Sequence, residues 1–169
     1  MDSMRHDLFA DSGGIHPIDI VESLAAHRAW AFDRLADDQI AMTVEGQWRH
    51  YSLTLAWSAR ESVLRLICTF DFDAPQARLP VVYEALNLVN DQVWDGGFTF
   101  WPAQRLMVWR YGLVLAGEAP AAPEQIDHML VTASAACERF YPAFQLAAWG
   151  DGLAAQALDI AITEAYGRA

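Results

Sequence analysis

One stretch, Leu79 to Gly117, limits what this chain can fold into more than any other. It opens with LPVVYEALNLVNDQVW, in which Leu79, Val82, Leu86, Val89 and Val93 recur at spacings of 3, 4, 3 and 4. That is one apolar stripe on a 3.6-residue period, so a helix is expected. Pro80 suits its first turn, where a missing N–H costs nothing. Asp95-Gly96-Gly97 is expected to end it, because glycine enters the left-handed region cheaply. FTFW, a PAQ turn and RLMVWRYGLVLAG then read as two paired strands. In the second strand Leu106, Val108, Val114 and Ala116 share a parity with Arg110 and Gly112. Met107, Trp109, Tyr111, Leu113 and Leu115 share the other. Both faces are largely apolar, so the strand is expected to be central and covered on both sides, in part by a second subunit.

Arg110 breaks the apolar pattern of that strand. A buried guanidinium needs a carboxylate or carbonyl partner. Alternatively, its stem packs while its head reaches water. The remaining reading is an anion or ligand site.

The preceding strands follow a simpler code. Ile40, Met42 and Val44 alternate with polar residues. Tyr51, Leu53, Leu55 and Trp57 oppose His50, Ser52 and Thr54. Leu64, Leu66, Cys68, Phe70 and Phe72 form one apolar parity. With a short strand at Trp30-Ala31-Phe32, these four segments and their polar turns predict an antiparallel meander. A first helix, IDIVESLAAHR, from His16-Pro17 to His27, precedes it. A long helical period runs from Glu124 through Ile126, Leu130, Ala133, Cys137, Phe140 and Phe144, with a kink or break expected at Pro142. After Gly150-Asp151-Gly152, a last helix is expected to bury Leu153, Ala157 and Ile160. The order is helix, four-strand meander, helix, two-strand hairpin, long C-terminal helix, which is α+β with helices largely on one face. Residues 1–15 read as a flexible tail, 16–149 as one domain and 150–169 as an additional helix.

Composition narrows function. A chain of 169 residues suits one domain. Net charge is −11, and every basic residue is Arg. Phosphate backbones are repelled, so no nucleic-acid partner is expected. The start, MDSMRHDLFADSGG, is polar and acidic, and no apolar run has the length of a membrane span, so no membrane partner and a cytoplasmic location are expected. Hydrophobic residues at 54% are rich for a small domain and point to apolar surface left for a partner. Two cysteines, Cys68 and Cys137, make no disulfide framework and read as small buried residues.

No nucleophile motif, phosphate-binding loop, dinucleotide fingerprint or zinc-helix motif occurs, and the five histidines stand apart from the cysteines. Asp71, Asp73, Asp91 and Asp95 are the residue type for a hard-cation site. Carboxylates are favoured beside helix N-termini in any case, so no metal, cofactor or catalytic residue is assigned. Seven tryptophans remain. Trp48, Trp94, Trp101 and Trp149 lie at element ends, where one side of the ring is left for a partner or dimer surface.

Asn87 and Asn90 in N-L-V-N, then Gly97-Phe98, then Val108-Trp109-Arg110 together resemble the YbjN-like family, over roughly residues 16–145. Its members are labelled bacterial sensory transduction regulators, and their fold is similar to that of type III secretion chaperones. The resemblance implies an acidic, commonly dimeric protein with a role in regulation or protein binding rather than a reaction. Two functional classes follow. The first is a non-enzymatic homodimer that holds a protein client or regulatory partner. The alternative is a small-molecule sensor, or an unrecognised enzyme, with an anion site near Arg110.

Overall fold

The computed structural model describes residues 14–117 and 120–166. The expected tail therefore lies outside the described residues, apart from Gly14 and Ile15.

Helix α1 (Pro17–His27) starts on a proline, and the His16 ring nitrogen Nδ1 accepts the Ile18 N–H at 3.2 Å. The strands β1 (Ala31–Ala36), β2 (Gln39–Glu45), β3 (His50–Ser58) and β4 (Val63–Asp71) follow as an antiparallel meander. A 3-10 turn, Gln76–Arg78, leads into α2 (Leu79–Asn90). Then come β5 (Gly97–Trp101), β6 (Leu106–Val114), α3 (Pro123–Trp149) and α4 (Ala154–Tyr166). β6 inserts beside β4, so the six-stranded sheet runs β1-β2-β3-β4-β6-β5.

Register puts one parity of each strand on one face. Phe32, Met42, Leu53, Cys68, Trp109 and Phe98 lie side by side across all six strands. The helices cover this face. α3 sets Cys137 on Cys68 with the sulfurs 3.5 Å apart, and places Phe140 and Phe144 against Phe98. Of the α2 stripe, Val82 and Val89 are fully buried, and each contributes about 1.5–3 kcal/mol.

No helix among the described residues lies over the other face. It presents Thr43, Ser52, Thr54, Ile67, Thr69, Val108, Arg110 and Gly112 in matching rows. β6 is flanked by strands on both sides, and of its two faces helices among the described residues cover the Trp109 face alone. β6 is second from the edge, Trp109 faces the helices, and Arg110 and Gly112 are exposed. Apolar residues at both parities misled, because Val108 is buried among its strand neighbours without any covering layer.

Three boundaries also differ from expectation. α2 ends at Asn90, ahead of the glycines, and Val93 lies beyond it. α3 is one helix through Pro142, so of the kink or break expected there the break does not occur. The proline removes one helical hydrogen bond, but buried Cys137, Phe140, Phe144 and Ala147 hold both sides of that turn to the core. In α4 the buried residues are Ala154, Ala157, Leu158 and Ala161, while Leu153 and Ile160 are exposed. Small alanines allow a close approach of α4 to the other helices, and that approach outweighs burying the larger side chains at Leu153 and Ile160. Among the described residues, no helix is long and apolar enough to cross a membrane.

Candidate functional site

The residues of the N-L-V-N, G-F and V-W-R segments meet at the β5 edge. Asn90, the last residue of α2, donates from Nδ2 to the Phe98 carbonyl at 3.0 Å and accepts the Phe98 N–H at 2.7 Å. Its amide thus pairs the edge strand as another strand would, and blunts the sheet edge. Phe98 stacks edge-on to Trp109, with centroids 4.9 Å apart. Gly96 sits at φ +141°, and a Cβ there would run into the Trp109 ring. The Trp109 indole N–H is buried without a hydrogen-bond partner. Asn90, Gly97, Phe98 and Trp109 are therefore one packing unit. Asn87 and Arg110 stand outside it, exposed to water.

Arg110 pairs across the sheet with Ile67 on β4 and Gly97 on β5. Its side chain meets neither a carboxylate nor another hydrogen-bond partner among the described residues. The ion pair open from sequence is not formed among the described residues, and the guanidinium is exposed.

A second cluster forms around the C-terminal half of α3. Trp48, in the β2–β3 turn, stacks on Tyr141, with centroids 6.3 Å apart and planes 24° from parallel. The Arg49 guanidinium lies 5.9 Å from the same ring. It also donates to the Asp71 carbonyl at 2.6 Å, and its other nitrogen is 3.6 Å from the Asp71 carboxylate. Arg49, Asp71 and Tyr141, with Gln104, Arg105 and Trp149, border a hollow of about 460 Å³, and Trp48 stands beside it on Tyr141. Trp48 is 41% exposed and Trp149 is 62% exposed. Exposed Trp with half-buried Tyr and Arg beside a concavity is the composition of protein-interface hot spots.

Glu138 fixes that turn. It accepts the N–H groups of Gln47 and Trp48 at 3.0 and 3.1 Å, and the Tyr51 hydroxyl at 2.5 Å. A Cβ on Gly46 would collide with the carboxylate. Burial first, then the Glu138 hydrogen bond, pushes the Tyr51 hydroxyl pKa far above its ordinary value. At the far end of the helix, Arg78 donates to the Ala147 and Gly152 carbonyls at 3.0 and 2.9 Å, satisfying orphan acceptors where α3 ends.

Trp149 lines the hollow and Trp48 stacks on Tyr141 in its wall, but the other two tryptophans lie elsewhere. Trp94 is 98% exposed and adjoins Asp95, whose carboxylate lies 3.4 Å from His128. Helical rise puts His128 on the order of 30 Å from Trp149. Trp101 is half-buried on the helix-free face, paired with Leu106. Sequence reasoning missed Arg49, Tyr141 and Glu138. Arg49 adjoins Trp48 in the chain, which is a usable signal. Glu138 gives none, because its partners are 87 to 91 residues away.

No group of three or more His, Cys, Asp or Glu that could hold a metal occurs among the described residues. Asp71 pairs with Arg49 and Asp95 with His128. Cys68 and Cys137 are free and buried; the Cys68 hydrogen bond and then burial push the Cys137 thiol pKa well up.

Comparison with known proteins identifies a family. Residues 17–146 match the YbjN family, described as "putative bacterial sensory transduction regulator". The matched region takes in every strand and ends before α4. No curated protein and no solved structure matches the chain.

Proposed function

The chain belongs to the YbjN family, and from that premise we propose that it is a non-enzymatic regulator that works in the cytoplasm as a homodimer holding a polypeptide partner. The family description names regulation and no reaction. The observation that carries the reading is the hollow lined by half-buried Arg49 and Tyr141 and exposed Trp149, with exposed Trp48 stacked on Tyr141 beside it. Large aromatic side chains desolvated in a small area supply most of the energy of such contacts. A net charge of −11 steers basic chains toward the protein and repels acidic ones. The partner is therefore a basic segment with an apolar anchor for the hollow. The β1 edge of the sheet, where Leu35 is 58% exposed, is the surface left for a second copy.

The test begins with the tagged protein drawn from its own cells, where the native mass and the identity of any stoichiometric polypeptide are read together. The reconstituted pair is then titrated against Trp48→Ala and Trp149→Ala. A dimer near twice 18.8 kDa that carries a basic partner, with affinity at least about tenfold weaker in each variant, supports the reading. A monomer, or a partner that binds both variants unchanged, defeats it.

A further inference from the structure

We infer that the helix-free face of the sheet holds a binding subsite for a small organic oxyanion, a carboxylate or a phosphate group, between Arg110 and Arg65. This subsite is separate from the aromatic hollow and does not rest on the polypeptide partner.

The sheet register builds it. Arg110 pairs with Ile67, and Arg65, two residues before Ile67 on β4, pairs with Gly112. The two arginines are diagonal neighbours on one face, a separation of roughly 7 Å that long side chains span. Arg110's neighbour on the other side is Gly97, and its neighbour along the strand is Gly112. Neither glycine has a side chain to cover the guanidinium. The resulting hollow is about 550 Å³, within the range of small-ligand sites, with Ile67 and Thr99 among the residues that line it.

Both guanidiniums are available to an anion. Arg110 has no partner among the described residues. Arg65 contacts Glu61 four residues earlier, with both side chains more than half exposed. A pair of that kind contributes about 0–1 kcal/mol and is readily exchanged. Guanidinium forks hold carboxylate and phosphate oxygens in pairs. The same charges keep this end of the face open, since a second copy seated there would bring its own arginines onto them.

The experiment is an NMR titration of the purified protein, reading the arginine Nε resonances. Inorganic phosphate and citrate are the probes, with sodium chloride at matched ionic strength as control. Saturable shifts at Arg110 and Arg65 are expected with at least one probe, and the tighter probe identifies the anion class. Arg110→Met removes the charge. Gly112→Val fills the hollow at a position where a Cβ makes only ordinary contact with Val63, and a β-branched residue suits a strand. Binding at least about tenfold weaker in either folded variant supports the subsite. Shifts no larger than those with chloride, or equal affinity in the folded variants, overturn it. If Arg110→Met fails to fold, the Gly112→Val titration decides.

Discussion

The Tyr51 hydroxyl donates to Glu138 at 2.5 Å, joining the first residues of β3 to the middle of α3. The same carboxylate holds the N–H groups of Gln47 and Trp48, so one side chain fixes the turn that presents Trp48. Glu138→Ala is expected to cost about 2–4 kcal/mol and Tyr51→Phe about 1–2 kcal/mol, since hydrogen bonds to charged groups exceed neutral ones. Denaturant unfolding measures both. Glu138→Ala should also weaken partner binding beyond its effect on stability, because it frees the turn.

Tyr51 carries a pH signature of known sign. Burial and then the Glu138 hydrogen bond raise its folded pKa far above the unfolded one, which is about 10. The folded state therefore keeps the proton longer than the unfolded state. Its contribution is fully present below pH ~10 and falls as pH rises above that value. The unfolding free energy should drop by up to one proton's slope above pH ~10 in the wild type. That component should be missing in Tyr51→Phe.

Asn90 acts in place of a neighbouring strand. Asn90→Ala leaves the Phe98 N–H and carbonyl without their partner in a half-buried setting, at an expected cost of about 2–4 kcal/mol. Asn90→Asp still accepts the N–H but sets an oxygen against the Phe98 carbonyl. It should therefore also destabilise the protein, and less so at acidic pH where the carboxyl is protonated. Thermal unfolding at two pH values separates the cases.

Gly96→Ala should be more damaging than its surface position suggests. The residue has φ +141° and lies against the Trp109 ring. Strain and displacement of a fully buried tryptophan together are expected to cost about 3 kcal/mol or more. Gly117→Ala, where a Cβ meets nothing within 4 Å, is the control, with only the strain of its own φ of +100°.

Cys68 and Cys137 face each other in the core at 3.5 Å. Both should resist a water-soluble thiol reagent in the native protein and react at once in denaturant. Fast native labelling of either would show that α3 lifts from β4.

Local periodicity made much of the fold legible. The Val82–Leu86–Val89 stripe and the alternation of Leu64, Leu66, Cys68 and Phe70 each identify an element and its buried face without long-range information. Where packing decided, sequence was a poorer guide. α4 buries alanines instead of Leu153 and Ile160, because close helix approach favours small residues there. α3 continues through Pro142 because its neighbours are anchored on both sides. β6 looked two-sided because Val108 and Leu106 share the parity of Arg110, and only the assembled sheet shows that no helix lies over them. Of the four tryptophans at element ends, the fold sets Trp48 on Tyr141, which lines the hollow together with Trp149. Their link, Tyr141, is 93 residues from Trp48 (141 − 48).

The most direct measurement of the proposed role is hydrogen exchange on the protein with and without its co-purified polypeptide, followed by the affinity of Trp149→Ala for that polypeptide. Protection confined to the β2–β3 turn and the Tyr141–Trp149 end of α3, with affinity at least about tenfold weaker in the variant, is the predicted result. Protection elsewhere, together with unchanged affinity, would contradict it.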